Sequence, residues 1–218
     1  MKKFISIILI LLVQFSLSGC LKELYFKYGV DVAPDRFTFE KENHTLSIPV
    51  CATHSLKKMN PGNEQLLVMI HGGGLTAERY FKRGQQVIED LEIDKNRIML
   101  LAPQFLEKGV DLAEKGVLFW DERWRGGAPS LSVGLNKGLP VVSSYDVLDH
   151  LIKTITTQYP EIRRIFLLGH SAGGQFVLRY AAVNNIHGDL EKQGTLIQYV
   201  VANPSSYLYL DRTRYRFI

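Results

Sequence analysis

Short, continuous apolar runs recur along the chain and are separated by longer segments of mixed polarity. Residues 66–70, 98–102 and 165–168 are such runs. Their length and lack of polar interruption are typical of strands that are buried on both faces of a parallel sheet. A fourth strand of this kind is predicted over residues 195–202.

The segments between these runs have helical spacing. Residues 77–91, 142–158 and 172 to about 184 each place their apolar side chains on one side of a helix. Ser143 and Asp146 form a possible capping box for the second helix. Strands that alternate with helices predict an α/β fold, with a mostly parallel sheet, helices on both faces and right-handed crossovers.

Two regions depart from this alternation. Residues 38–40 and 46–50 are separated by a polar segment, which predicts an antiparallel hairpin. Residues 104–140 form a long connection of poor periodicity that contains Trp120 and Trp124. This connection is interpreted either as an insertion whose aromatic side chains pack on the domain surface, or as a lid or wall of a substrate pocket.

The N-terminus is typical of a targeting segment. Lys2 and Lys3 precede residues 4–13, which are apolar except for Ser6 and too few to span a bilayer. This pattern predicts a signal peptide over residues 1–19.

Leu17-Ser18-Gly19-Cys20 resembles the bacterial lipoprotein box, in which the cysteine is lipidated. The resemblance implies that Cys20 anchors the protein in the membrane of the cell envelope, through several acyl chains. Leu21 would favour the outer membrane if the source has one. The alternative is a plain signal peptide with an incidental cysteine, and then the protein is secreted. Residues 20–35 are predicted to be a tether, and residues 36–218 the folded domain.

The composition of the chain narrows the classes of protein to which it can belong. The chain has 218 residues, of which 46% are hydrophobic and 22% charged, and these fractions exclude collagen-like, coiled-coil and disordered proteins. The net charge is +4, but much of the positive charge lies at the two ends, so no nucleic-acid partner is expected.

If Cys20 carries lipid, Cys51 is alone and is predicted to be a small buried hydrophobe. No metal-ligand spacing and no dinucleotide fingerprint occur, so neither a metal nor a cofactor is expected.

The strongest chemical signal is Gly169-His170-Ser171-Ala172-Gly173, between a predicted strand and a predicted helix. This context is typical of a nucleophile elbow, a turn so sharp that glycine is needed on both sides of the serine. The turn would lift the Ser171 hydroxyl to a helix N-terminus, where partial positive charge favours an anion.

A second signal is His71-Gly72-Gly73-Gly74, directly after the strand at 66–70. Glycines let backbone N–H groups approach a substrate oxygen closely. Together with the N–H of Ala172, they are predicted to hold the oxyanion of a tetrahedral intermediate.

These two motifs resemble those of the α/β-hydrolase superfamily, particularly its esterase and lipase-like members, and the resemblance covers residues 36–205. It implies that Ser171 is the nucleophile and that the substrate is a small-molecule ester or acyl compound. The N–H groups of Ala172 and of residues 72–74 would form the oxyanion hole. His71 would belong to the loop motif and not be the base, and His170 would be a packing or pocket residue.

The chain departs from the superfamily's order of serine, acid and histidine. Asp211 is a possible acid, since some members place the acid after this strand. His187 is the only histidine after the serine, but it lies beyond a helix of about 12 residues, which rises about 18 Å. His44, His54 and His150 are expected at the surface. The general base is therefore predicted to be missing, and the sheet to be incomplete at its C-terminal edge.

Three functions remain open. The leading one is a lipid-anchored serine hydrolase of esterase type that acts at the cell surface or in the periplasm. The alternative is a catalytically inactive or truncated hydrolase-like lipoprotein that keeps its pocket only for binding, since a serine without a base is a poor nucleophile. In the third, a separate chain supplies the missing acid and histidine.

Overall fold

The structure is a computed structural model that describes residues 30–56 and 62–209. The predicted signal peptide, the lipidated Cys20 and the candidate acid Asp211 lie outside the described residues.

The described residues form eight strands. Their bounds are β1 Asp35–Lys41, β2 His44–Ala52, β3 Gln65–Ile70, β4 Ile98–Pro103, β5 Leu106–Glu107, β6 Phe119–Trp120, β7 Arg164–His170 and β8 Leu196–Ala202. Six of them make one sheet in the order β1-β2-β4-β3-β7-β8, and β5 and β6 pair separately. Strands β4, β3, β7 and β8 are parallel, as the buried apolar runs predict.

Four α-helices accompany these strands: α1 Ala77–Asp90, α2 Ser144–Gln158, α3 Ala172–Val183 and α4 His187–Lys192. Short 3-10 turns cover Glu122–Gly126 and Gly134–Asn136. The three long helices lie where helical spacing predicts them. Ser143 caps α2 as expected, because its side chain accepts a hydrogen bond from the N–H of Tyr145.

Alternate side chains of the central strand face two different cores. Leu66 and Val68 of β3 belong to the larger core, which also holds apolar residues of α2 and α3. Leu67 and Met69 belong to the smaller core, which holds residues of α1. Successive strand side chains point to opposite faces, so helices cover both faces of the sheet. The predicted α/β fold class is confirmed.

The predicted hairpin is β1 and β2, which pair antiparallel along their length. Its turn residues Glu42 and Asn43 both have positive φ, 50° and 61°, as the tightest hairpin turns require. Strand β2 then pairs antiparallel with β4 through Val50, Cys51 and Ala52. The hairpin thus extends the parallel sheet on the side away from β7 and β8.

The connection at 104–140 contributes to the core. Trp120 and Trp124 are fully buried in the larger cluster. Their indole N–H groups are satisfied: Trp120 donates to the carbonyl of Ala128 (3.1 Å) and Trp124 to Oε1 of Glu107 (3.0 Å). The interpretation that these aromatics pack on the surface is therefore wrong, because both indole rings lie in the larger core.

Cys51 is a free, buried thiol, as predicted, and burial raises its pKa to about 11.

No helix within residues 30–56 and 62–209 has the length and apolarity needed to cross a membrane. The same ranges hold no group of three or more His, Cys, Asp or Glu side chains arranged for a metal ion.

Candidate active site

Ser171 lies alone between the end of β7 and the start of α3, in a backbone conformation rare for a residue with a side chain. Its φ is 57° and its ψ is −119°. Its N–H donates to the carbonyl of Ala202 (3.0 Å), and its own carbonyl accepts from the N–H groups of Gln175 (3.0 Å) and Ser205 (3.1 Å). Three backbone hydrogen bonds therefore hold the strained turn in place.

The glycines around Ser171 are needed because a side chain at these positions would collide with neighbouring backbone. A Cβ at Gly169 would overlap the carbonyl of Gly173, and a Cβ at Gly174 would lie 2.6 Å from the carbonyl oxygen of Ala202. In both cases the obstacle is backbone, which cannot swing aside as a side chain can. The sharp strand–turn–helix geometry predicted from the sequence is present.

Gly173 brings the two glycine motifs together. A Cβ at Gly173 would overlap the carbonyl oxygens of Ile70 and His71, so α3 begins in direct contact with the segment that leads into residues 72–74. The strands that precede the two motifs are neighbours in the sheet, with Ile70 opposite Gly169. Since both strands run in the same direction, both loops emerge at the carboxyl edge of the sheet, where α/β proteins place their ligands.

Two backbone donors are available at this meeting point. Among the described residues, the N–H groups of Ala172 and Gly73 have no protein acceptor. Gly73 is exposed, with open space where a side chain would be. The carbonyl of Gly72 accepts from the N–H of Leu75 (3.2 Å), which closes the loop as a turn.

His71 is fully buried and its two ring nitrogens have opposite roles. The N–H of Phe105 donates to Nε2 (2.9 Å), so Nε2 carries no proton. Nδ1 then carries the proton and donates it to the carbonyl of Gly72 (2.8 Å). Burial lowers the pKa of His71 to about 4. His71 is thus a neutral residue that shapes the loop and not a base, as the resemblance implies.

Gln104 supports the same loop from behind. Its buried amide donates from Nε2 to the carbonyls of Leu75 (2.6 Å) and Asp31 (3.0 Å), and its Oε1 accepts from the N–H of Ala33 (2.7 Å). Sequence analysis missed this residue. A single glutamine after a buried strand gives no signal, because its partners are distant in sequence.

An aromatic cluster lies beneath the loop and α3. The ring of Trp124 lies 4.7 Å from that of His71, 5.4 Å from that of Phe105, onto which it stacks, and 5.9 Å from that of Phe176. Phe176 belongs to α3, so Trp124 joins the glycine loop to the helix that follows Ser171. The connection at 104–140 therefore forms part of the wall behind the candidate site.

The Ser171 hydroxyl has one described polar neighbour, Oγ of Ser205 at 3.5 Å. All six histidines lie within the described ranges, and none of them makes a hydrogen bond with Ser171. Instead each has another contact: His44 with Glu42, His54 with Thr53, His71 with Phe105, His150 with Phe39, His170 with Tyr80, and His187 with Tyr199.

The structure thus brings together Ser171, Ala172, Gly72, Gly73 and Gly74 at one edge of the sheet. His187 lies at the far end of α3, where its Nε2 is 3.2 Å from Glu191. Ser205 was missed by sequence analysis, because nothing in its local sequence distinguishes it from other loop serines.

Comparison with known proteins gives a partial structural likeness. No protein-family model and no curated protein sequence matches the chain. A poly(3-hydroxybutyrate) depolymerase, LpqC, from Bordetella parapertussis is similar at 15% identity and a TM-score of 0.43, over 72% of this chain and 49% of its own.

Two further hydrolases show similar values. Poly(aspartic acid) hydrolase-1 from Sphingomonas sp. KT-1 has 17% identity and a TM-score of 0.40, over 69% of this chain and 51% of its own. The siderophore hydrolase EstB from Aspergillus nidulans has 17% identity and a TM-score of 0.34, over 71% and 54%. The chain thus spans about half the length of the solved structures it matches, and each of the three is named as a hydrolase or depolymerase.

Proposed function

We propose that the protein is a serine hydrolase of esterase type, which transfers the acyl group of a small-molecule ester to Ser171. One observation carries the proposal: helix α3, which follows the strained Ser171 turn, contacts the carbonyls of Ile70 and His71 at Gly173. This contact supports the proposal, because acyl transfer needs a nucleophilic hydroxyl close to backbone N–H donors.

In the proposed reaction, Ser171 Oγ forms a bond to the ester carbonyl carbon and passes its proton to a solvent water, while the carbonyl π-electron pair moves to the oxygen. The N–H groups of Ala172 and Gly73 donate to that oxyanion. Its collapse breaks the ester C–O bond, and the alkoxide leaves as the alcohol after it takes a proton from solvent. Water then attacks the acyl-serine, and the bond to Ser171 Oγ breaks to release the acid and restore the hydroxyl. Loss of one oxyanion donor typically lowers such rates about 10²–10³-fold.

A second candidate is a protein that keeps the pocket but does not turn substrate over. The observation that favours it is the contact set of the six histidines, none of which reaches Ser171 in the described part of the chain. A serine hydroxyl without a base is almost entirely protonated at neutral pH and reacts slowly. In the third candidate, the base and acid come from another chain.

A fluorophosphonate probe tests the nucleophile. The proposal expects labelling of the wild-type protein and no labelling of Ser171→Ala. Ser205→Ala is the matched control, because it removes the neighbouring hydroxyl at 3.5 Å and leaves the proposed nucleophile intact. Equal labelling of wild type and Ser171→Ala would refute the assignment.

Added imidazole separates the candidates further. If the serine and its oxyanion donors are intact and only the base is missing, imidazole accelerates hydrolysis of p-nitrophenyl acetate by wild type beyond the rate measured with Ser171→Ala. Turnover without imidazole would instead indicate a base within the chain. If neither condition gives Ser171-dependent hydrolysis, the binding-only candidate is favoured.

We also propose that Cys20 anchors the protein in the cell envelope through lipid. Incorporation of labelled palmitate should occur in wild type and be lost in Cys20→Ser. Cys51→Ser provides the control, because the Cys51 thiol is buried in the fold and should not be a lipidation site. Secretion of an unlipidated wild-type protein would support the plain signal peptide instead.

A further inference from the structure

An open groove of about 530 Å³ lies along helix α3, the helix that follows the proposed nucleophile. One wall is formed by residues 122–128, which include the 3-10 turn Glu122–Gly126, and the other is the side of α3 that carries Gln175 and Arg179. The turn is fixed from below by buried Trp124, and its Gly126 lies close enough to Arg179 that a Cβ there would be 3.0 Å from the guanidinium.

Short links connect this groove to Ser171. Gln175 follows Ser171 by one helical turn, and its N–H donates to the Ser171 carbonyl (3.0 Å). On the other side, Ser205 lies next to the Ser171 hydroxyl, and the following residue Ser206 accepts from Arg179 (2.9 Å). A substrate acylating Ser171 therefore has the groove within reach of its far end.

Two guanidinium groups of the groove have no short ion pair among the described residues. Arg179 makes no ion pair there, and its one hydrogen bond is to Ser206. Arg125 forms a long ion pair with Glu107 (4.0 Å), whose carboxylate also accepts from the Trp124 indole (3.0 Å), and its Nε donates to the carbonyl of Glu122 (2.8 Å). By contrast, Arg123 is neutralised by Asp121 at 2.6 Å.

Gln175 adds a neutral hydrogen-bond donor to the same groove. The residue as a whole is 8% exposed and belongs to the lining of the groove. Its side-chain amide can donate to an oxygen of a ligand that lies there.

We propose that Arg125, Arg179 and Gln175 bind a carboxylate at the far end of the acyl substrate. Guanidinium groups match the planar carboxylate with paired N–H donors, and the amide of Gln175 supplies a further donor. Exposed Glu122 lies on the rim of the same groove, which disfavours a dianion and favours a singly charged group. The orientation of the substrate rests on the proposed acyl transfer to Ser171.

Binding is measured on Ser171→Ala, so that the result does not depend on hydrolysis. Calorimetry compares monomethyl succinate, glutarate, adipate and suberate with their uncharged dimethyl esters. At least one monomethyl ester should bind about tenfold more tightly than its dimethyl counterpart. Arg179→Gln and Arg125→Gln, each added to Ser171→Ala, should weaken that binding about tenfold, the range expected for a charge-assisted hydrogen bond.

Arg97→Gln is the matched control for loss of one positive charge. Arg97 is exposed and pairs with Glu64 at the opposite, amino edge of the sheet, so its loss should leave binding unchanged. Equal binding of the charged and neutral esters would overturn the proposal, as would unchanged binding in both groove variants. Tighter binding of methyl phosphate would identify a phosphate site and overturn the carboxylate assignment.

Neither arginine substitution is expected to prevent folding, because Arg125 lies in a surface turn and Arg179 lies on a helix. Unfolding midpoints check that each variant is folded. If the fluorophosphonate test fails while the monomethyl ester still binds, the acyl-transfer proposal falls and the carboxylate site stands. If labelling succeeds and binding shows no charge preference, the reverse holds.

Discussion

At Gly173 the lack of a side chain lets helix α3 begin against the carbonyls of Ile70 and His71. Gly173→Ala would force a methyl group into backbone that belongs to β3 and its following loop. We expect this substitution to lower the free energy of unfolding by about 3 kcal/mol or more, because neither carbonyl can move without disturbing the central strand. Urea denaturation measures the loss.

Gly188→Ala is the matched control for the Gly173 substitution. Gly188 lies in α4, and a Cβ there meets nothing within 4 Å. Alanine favours helix over glycine by about 0.5–1 kcal/mol, so this change should be neutral or stabilising. A similar loss of stability in both variants would contradict the close contact at Gly173.

The burial of neutral His71 predicts how the free energy of unfolding changes with pH. Its pKa is lowered by burial from 6.5 to about 4, so the unfolded chain takes up a proton at His71 before the folded protein does. The free energy of unfolding should therefore fall as the pH drops from about 6.5 to about 4, with a contribution from this residue of about 3 kcal/mol. Above pH 6.5 this contribution is fully present.

Chemical denaturation across that pH range tests the assignment in His71→Gln. The variant should show a shallower loss of stability between pH 6.5 and 4 than wild type, whatever its stability at neutral pH. His44→Gln removes an exposed histidine in the β1–β2 hairpin and should retain the wild-type slope. Identical slopes in wild type and His71→Gln would show that this imidazole is not buried in its neutral form.

At the scale of elements, helices α2 and α3 are joined by a buried polar contact. Asp149 of α2 accepts from the hydroxyl of Tyr180 of α3 (2.5 Å), and burial is the main cause that raises the pKa of each group. A double-mutant cycle with Asp149→Asn and Tyr180→Phe should give a coupling free energy of about 1–3 kcal/mol. Thermodynamic additivity of the two substitutions would refute the contact.

The elements themselves could be predicted because their signals are local. The buried runs of β3, β4 and β7 and the periodic segments of the three long helices each fit a single pattern. The fold of residues 104–140 could not be predicted, since it depends on Trp124 reaching His71 and Phe105 rather than on periodicity. The conformation of such a segment depends on tertiary contacts, and a single sequence does not reveal which distant residues make those contacts.

Over the whole molecule, the candidate site also has a part that local sequence predicts and a part that it does not. The Ser171 turn and the glycine loop are predictable, because each is a short motif that directly follows a strand in the sequence. Gln104, Ser205 and Arg179 are not, because they become meaningful only when distant segments meet. Gln104, for instance, hydrogen-bonds Ala33 across 71 residues of sequence. The positions that hold and flank the site are therefore those that only the folded chain reveals.

The far edge of the sheet gives a prediction for the molecule as a whole. Within the described residues β8 pairs only with β7. The N–H of Leu196 donates to Arg163 (2.9 Å), so by alternation the amides of Gln198 and Val200 face β7 and those of Ile197, Tyr199 and Val201 point outward. We expect the outward amides to exchange with deuterium at least about tenfold faster than the inward ones.

Exchange monitored by NMR, residue by residue, distinguishes this open edge from a covered one. The amides of Leu67 and Val68 in central β3 should exchange most slowly and serve as the internal reference, since β4 and β7 flank them. Equal protection of Tyr199 and Val200 would mean that another strand covers β8. The sheet would then continue beyond the six strands β1, β2, β4, β3, β7 and β8.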